Sequence, residues 1–221
     1  MFNDEQRKII EHIVRGTLIN TTEDTCTAAR NLLCASFSTS TSPKTDFEGQ
    51  LIFKKEQEQQ LVKFATDNGL WLNGIPSDST YLTRGGESKV YLKTDNRYVI
   101  KVNDAVYYAT WLDYLNSLLL HNVLFPVTRY ELLGLLKESE QLFLVLEQPY
   151  IMSEGLASLD DIKTILQVNG FQNTRRQDYF NPQLGLILED MHDENVIMNG
   201  GAPFFIDTVF YIDLNLKVPK I

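Results

Sequence analysis

Cysteine is almost missing from this chain: two in 221 residues, Cys26 and Cys34. They stand eight apart, with no Cys or His at zinc-finger spacing. That excludes a disulfide framework and a Cys-rich metal centre, and leaves two reduced structural thiols. Basic residues are also scarce, 20 Lys and Arg against 29 Asp and Glu, for a net charge of -9. Such a balance excludes nucleic acid as a main partner, because duplex binding rests on cations that neutralise phosphates. A nucleotide held by a few local cations and a metal stays open. No apolar run reaches the ~18 residues of a membrane span. The opening "MFNDEQRKIIEHIVRG" lacks the pattern of a signal peptide, basic start, apolar core and small-residue cleavage site.

What is present is an ordinary apolar share, 43%, enough for one large domain or two small ones. Residues 3–35 have helical periodicity, with Ile9, Ile10, Ile13 and Val14 recurring between charges. "STSPKTDFEG", 40–49, is a Ser/Thr/Pro-rich connector. A second helical stretch, "QLIFKKEQEQQLVKFATDNGLWL", ends at Asn68-Gly69. From about residue 79 the pattern alternates. "TYLTRGGESKVYLKTDNRYVIKV" predicts a three-strand meander, turning at Gly85-Gly86 and at Thr94-Asp95-Asn96. A helix is expected over 104–122, then a hairpin from "VTRYELLGLLKES" and "EQLFLVLEQPYI". Residues 158–171 predict an amphipathic helix capped by Ser158, with Asp160 and Asp161 in its first turn. Last comes "LILEDMHDENVIMNGGAPFFIDTVFYID", a strand, an acidic loop and a hairpin.

The joints carry the chemistry. Gly85 and Gly86 sit at a strand-to-strand turn, where glycine lets backbone N–H groups approach phosphates; a Gly-Gly pair alone also serves as a plain hairpin. Lys101 lies between apolar residues in "YVIKV"; such a lysine either snorkels to the edge or pairs. The apolar strand "LFLVLEQPYI" stops at Glu147-Gln148-Pro149, where proline favours an extended break and backbone groups can meet an adenine edge. Asp190 and Asn195 are five apart in "EDMHDEN". Asp190 can orient or deprotonate a hydroxyl, while Asn195 and Asp207 offer the hard oxygens that Mg²⁺ prefers. Asp207 ends the strand "FFID", and a carboxylate held there without a partner is costly, which favours a metal or an ion pair.

Taken in order, these elements resemble the protein-kinase-like superfamily. Asp190-Met-His-Asp-Glu-Asn195 is similar to the kinase catalytic loop D-x-x-x-x-N, and Ile206-Asp207-Thr208 to the metal-binding D-F-G element. More narrowly, "LLLHNVLFPVTRYELLGLL", "LEQPYI" and "MHDENVIM" resemble the polyvalent protein kinases of bacterial mobile elements. The resemblance covers roughly residues 79–213 and implies an α+β, two-lobed kinase-like fold with a five-stranded antiparallel N-lobe sheet. It implies an N-lobe at 76–152 and a reduced C-lobe at 153–221, preceded by an N-terminal helical segment at 1–75 that the periodicity predicts.

It implies ATP and Mg²⁺ as cofactors and phosphoryl transfer to a hydroxyl of a protein or a small molecule. Gly85, Gly86 and Ser88 would line the phosphate loop, and Lys101 would bind the α- and β-phosphates. Glu147, Gln148 and Tyr150 would border adenine. Asp190 would be the catalytic base, Asn195 and Asp207 the metal ligands, and His192 a contact to the γ-phosphate or a locally packed loop histidine. A bacterial cytoplasmic setting follows from the same resemblance.

The sequence also departs from the pattern. Leu188-Glu189 replaces the His-Arg before the catalytic Asp, Thr208-Val209 replaces Phe-Gly, and the glycine loop is reduced. The stretch after Lys101 offers Asp104 and Asp113 but no Glu, so Asp113 is the expected partner of Lys101. Asp207 stands 14 residues from the end of the sequence, too few for the usual peptide platform; that and His192 tilt the acceptor toward a small or unusual one, while the family resemblance tilts it toward a protein. The N-terminal helices at 3–70 are expected to support the reduced lobe. These departures leave a second reading open, a pseudokinase-type module that binds nucleotide or a protein partner without turnover.

Overall fold

The structure, a computed structural model, describes residues 3–20, 24–37, 47–86 and 88–213, with the side chains of residues 47–50 left out. In chain order come α1 (Asp4–Val14), α2 (Thr25–Ser36) and α3 (Phe47–Asn68). Three strands follow, β1 (Ser79–Arg84), β2 (Ser88–Lys93) and β3 (Tyr98–Asn103), then α4 (Trp111–Leu124), β4 (Glu131–Glu138) and β5 (Gln141–Pro149). The last third holds β6 (Gly155–Leu156), α5 (Leu159–Val168), β7 (Gln172–Arg175), β8 (Asp178–Asn181) and β9 (Leu186–Glu189). It ends with β10 (Val196–Asn199), β11 (Ala202–Phe205) and β12 (Val209–Ile212). This is a mixed α/β fold with antiparallel sheets, divided into two compact units.

One unit comprises Gly16–Leu115 and Tyr130–Tyr150. Its centre is the five-stranded sheet β1-β2-β3-β5-β4, antiparallel throughout. Ile100, Val102, Leu136 and Val145 are buried together, with Leu72, Ile75, Tyr91, Leu133 and Phe143 packed against them. The meander follows the alternation in the sequence, since side chains on a strand point to opposite faces in turn. Outside β4 the chain after α3 adds a short parallel pairing. The Leu72 N–H donates to the Leu135 carbonyl and the Leu135 N–H to the Leu70 carbonyl, each at 2.9 Å. Gly134, at a register shift in β4, permits this approach: a Cβ there would stand 2.3 Å from the Leu70 carbonyl oxygen.

Within the same unit α3 secures the entry to α4. The Gln57 side-chain oxygen accepts the Leu112 N–H at 3.0 Å, and the Lys54 ammonium donates to the carbonyls of Ala105 and Tyr108. The helix expected from residue 104 therefore begins at Trp111. Asn103 and Asp104 turn their carboxamide and carboxylate onto the N–H groups of Ala105 and Val106, and Ala105 adopts φ +54°. Side-chain acceptors of this kind compete with helix formation. Thr110 then caps α4, its hydroxyl accepting the Asp113 N–H at 3.0 Å.

The other unit comprises Met1–Arg15, Asn116–Arg129 and Ile151–Ile221. Helix α1 carries a capping box, with Asn3 and Gln6 exchanging side-chain to backbone bonds at 2.8 and 3.0 Å. It buries Ile10 and Ile13, and Gln6 donates to the Val123 carbonyl at 2.7 Å. The single helical stretch expected over 3–35 is two helices, because Gly16 takes φ +59°, a left-handed helix end that favours glycine. The connector expected at 40–49 falls partly outside the described residues, and Phe47–Gly49 already belong to α3. Helix α5 starts where expected, the Ser158 hydroxyl accepting the Asp161 N–H at 3.1 Å. It buries Ile162 and Leu166. Two small sheets complete the unit, β11-β10-β6 and β12-β9-β8-β7. Strand β9 leads into the acidic loop, and the β10–β11 hairpin leads out of it.

Candidate active site

The acidic loop is built on β9, whose Leu186 and Leu188 are fully buried while Glu189 faces out. At the strand end Asp190 adopts φ +60°, a left-handed conformation that a non-glycine residue takes only when its surroundings hold it. Here they do. The Asp190 N–H donates to Asp178 Oδ1 at 3.2 Å, the Met191 N–H to the Gln177 carbonyl at 3.0 Å, and the Met191 side chain is buried. The Asp190 carbonyl accepts two bonds, from the His192 N–H at 2.9 Å and from Asn195 Nδ2 at 2.8 Å. The turn leaves the Asp190 side chain 66% exposed. Its carboxylate is thus presented by a backbone that is tied down on both sides.

Asn195 is oriented by the same bonds. A carbonyl oxygen can only accept, so the amide nitrogen must face Asp190 and the amide oxygen is left as an outward acceptor. His192 Nε2 lies 3.2 Å from Asn195 Nδ2 and 3.5 Å from Asp190 Oδ2. Nε2 can accept from the amide or donate to the carboxylate, according to the tautomer. Asp190, His192 and Asn195, three of the residues expected from the motif, are therefore in mutual contact.

Asp207 reaches the same end of this unit through strand pairing. Val196 pairs with Phe205, and the Ile206 N–H donates to the Asn195 carbonyl at 3.0 Å. Asn195 precedes β10 by one residue and Asp207 follows β11 by two, so both oxygens belong to one end of the hairpin. Among the described residues, no group of three or more His, Cys, Asp and Glu side chains is arranged to hold a metal. Mg²⁺ is usually held by one or two protein oxygens together with water and substrate phosphates. Asn195 and Asp207 fit that donor set. Glu189, beside the loop, has its carboxyl pushed up by desolvation and then by the charges of Asp178 and Asp190.

The other unit carries the remaining expected residues. The Gly85 N–H donates to the Ser88 carbonyl at 3.0 Å, closing the glycine turn, and Asn103 Nδ2 donates to Ser88 Oγ at 3.0 Å. Among the described residues, neither Gly85 nor Gly86 has a neighbour closer than 4.0 Å to an added Cβ, so the turn is open there. Arg84 and Lys89 flank it as a cross-strand pair. Lys101 is 6% exposed on β3. Its ammonium donates to the Tyr130 hydroxyl at 3.2 Å and lies 5.2 Å from the centre of that ring.

Glu147 and Gln148 lie inside the β3–β5 ladder, opposite Ile100 and Val99. The Glu147 carboxylate pairs with Lys93 at 3.0 Å, and the Tyr150 N–H donates to the Arg97 carbonyl at 2.9 Å. Asp113, the expected partner of Lys101, is engaged elsewhere. It accepts the Thr110 hydroxyl at 2.7 Å, and the cation acting on it is Lys54. The reason is position: Asp113 is in the first turn of α4, where it completes the cap with Thr110.

Sequence reasoning missed Tyr130, Asp178 and His121, and named Thr208 only as a departure from the motif. Tyr130 carries no motif. Asp178 becomes adjacent to Asp190 only through the β8–β9 pairing.

No curated protein and no solved structure matches the chain. Among the described residues no helix is long and apolar enough to cross a membrane. Residues 54–214 match the family described as "Serine/Threonine/Tyrosine Kinase found in polyvalent proteins". That span takes in the glycine turn, Lys101, the Asp190–Asn195 loop and Asp207, and the chain belongs to this kinase family.

Proposed function

We propose that the chain is an ATP- and Mg²⁺-dependent phosphotransferase that moves the γ-phosphoryl group of ATP to a hydroxyl of a protein or small molecule. The observation that carries the reading is the bond from Asn195 Nδ2 to the Asp190 carbonyl, which ties the base and a metal oxygen into one rigid loop. Asp190 accepts the proton of the acceptor hydroxyl and orients that oxygen for attack. The Asn195 amide oxygen and the Asp207 carboxylate hold Mg²⁺, which when bound neutralises charge on the β- and γ-phosphates. Lys101 binds the α- and β-phosphates, and its desolvated setting strengthens that attraction. The backbone at Gly85, Gly86 and Ser88 covers the phosphates. His192 meets the γ-phosphate.

The experiment is thermal unfolding with ATP, with and without Mg²⁺, beside an assay of ATP turnover. A ligand that binds only the folded chain adds about 2.7 kcal/mol at a hundredfold excess over its dissociation constant. The expected result is a Mg²⁺-dependent shift that Asp207→Ala abolishes, and turnover that Asp190→Asn abolishes while the shift persists.

A second reading, a nucleotide-binding module without turnover, is favoured by the burial of Lys101 beneath the Tyr130 ring. It predicts the shift without turnover in the wild type. Absence of any nucleotide shift overturns both readings.

A further inference from the structure

Thr208 takes the place of the aromatic residue after the metal aspartate, and it is 6% exposed. Its hydroxyl lies 2.8 Å from Nδ1 of His121, a fully buried residue on α4. The other ring nitrogen, Nε2, is 2.9 Å from the Thr128 carbonyl. A carbonyl oxygen only accepts, so Nε2 carries the proton, and in the neutral ring Nδ1 accepts from Thr208. Thr128 in turn donates its hydroxyl to the Phe205 carbonyl at 2.6 Å. Phe205 is also stacked on Phe125, with ring centres 4.3 Å apart and planes 16° apart.

Asp207 is therefore bracketed. Two residues before it, Phe205 is held through its carbonyl and its ring. One residue after it, Thr208 is held through its hydroxyl. Both holds converge on His121 and Thr128. Since the imidazole can form both bonds only in one orientation, the network restrains the backbone on both sides of Asp207.

We infer that His121 and Thr208 are positioning residues for Asp207, their hydrogen bond setting where the metal-binding carboxylate stands. The inference rests on the reading of Asp207 as a Mg²⁺ ligand. A buried hydrogen-bond pair is a directional restraint of a kind that an apolar contact at the same place is not, so removing the hydroxyl without changing the shape separates positioning from packing.

The test measures the Mg²⁺ concentration that half-saturates the ATP-induced thermal shift, using the full chain and four variants. Thr208→Val is nearly isosteric and removes the donor. Thr208→Ser keeps it. Ser117→Ala removes another buried bond of α4, the one at 3.0 Å to the Phe210 N–H, farther from Asp207, and reports general loosening. The expected result is a roughly tenfold higher Mg²⁺ requirement for Thr208→Val, the scale of one lost buried hydrogen bond. Thr208→Ser stays near wild type, and so does Ser117→Ala, whatever its melting temperature. Thr208→Ala, which cannot overfill the site, carries the same expectation as Thr208→Val. An unchanged requirement in Thr208→Val and Thr208→Ala overturns the inference alone, as does an equal rise in Ser117→Ala. A wild type whose ATP shift ignores Mg²⁺ overturns the reading of Asp207, and the positioning role with it.

Discussion

Asn195 Nδ2 stands 2.8 Å from the carbonyl oxygen of Asp190, the residue that adopts a left-handed conformation at the end of β9. The side chain proposed to offer a metal oxygen thereby also holds the backbone of the proposed base. Two roles thus fall on one amide, and they respond differently to substitution.

Asn195→Asp supplies a stronger metal ligand in charge terms but removes the donor. A carboxylate oxygen would then face the Asp190 carbonyl, two acceptors with no proton between them. The expected outcome is loss of the Mg²⁺-dependent ATP shift in Asn195→Asp as well as in Asn195→Ala. Each variant should lose about 1 kcal/mol of folding stability from the missing bond. Urea denaturation without ligand measures the second effect separately from the first. If Asn195→Asp binds Mg²⁺–ATP like the wild type, the donor role is contradicted.

Gly134→Ala tests the pairing outside β4. An added methyl would stand 2.3 Å from the Leu70 carbonyl oxygen and 3.0 Å from Leu72 Cγ. The nearer atom is backbone, so relief requires the connector to move. Overpacking in a fixed setting costs roughly 1–3 kcal/mol, and loss of the Leu70 and Leu72 bonds adds to it. The urea midpoint of Gly134→Ala should fall accordingly. The ATP-induced rise in melting temperature, taken from the variant's own lower starting value, should survive.

Asp113 predicts a pH dependence of stability. Desolvation pushes its carboxyl up from the ordinary value, against opposing bonds from Thr110 and the charge of Lys54. Lys54 is itself lowered, first by desolvation, although Asp104, Asp113 and Glu58 pull it back up. For Asp113 the folded state binds its proton more tightly than the unfolded chain does. Its contribution to stability is therefore full below the ordinary Asp pKa and is lost as pH rises through the higher folded value. Asp113→Asn keeps an oxygen for Thr110 but does not titrate. Unfolding free energies for both proteins from about pH 3 to pH 8 should show the variant gaining on the wild type through that window. Parallel curves would mean that Lys54 compensates the burial in full.

Where local chemistry decided the structure, the sequence was readable. The three-strand meander, the β4–β5 hairpin and the Ser158 cap follow from alternation, turn residues and capping side chains. The start of α4 was misplaced although its signals are local. Asn103 and Asp104 divert the chain before Thr110 and Asp113 cap it, and helical periodicity alone runs across that break. Hairpin β7–β8 escaped notice for a different reason. Its turn places Arg176 at φ +48°, where Gly or Asn would have been the recognisable choice, and β7 is polar and exposed.

In the site, the loop from Asp190 to Asn195 was legible because its spacing is short. The companions of Lys101 and Thr208 were not. Tyr130 and His121 lie 29 and 87 residues from those partners, and no local pattern encodes such pairings.

The parallel pairing of Leu70–Leu72 on β4 also affects how the chain behaves among its own copies. An unpaired strand edge is a template on which another chain can add. On the β4 side that template is taken up at Leu135 by the connector after α3. The opposite edge, β1, is interrupted by a register shift between Tyr81 and Thr83 and ends in Arg84. A bulge twists an edge away from flat pairing, and a charge at its end repels addition. The connector thus interrupts one edge of the sheet as a template, and the irregular strand interrupts the other.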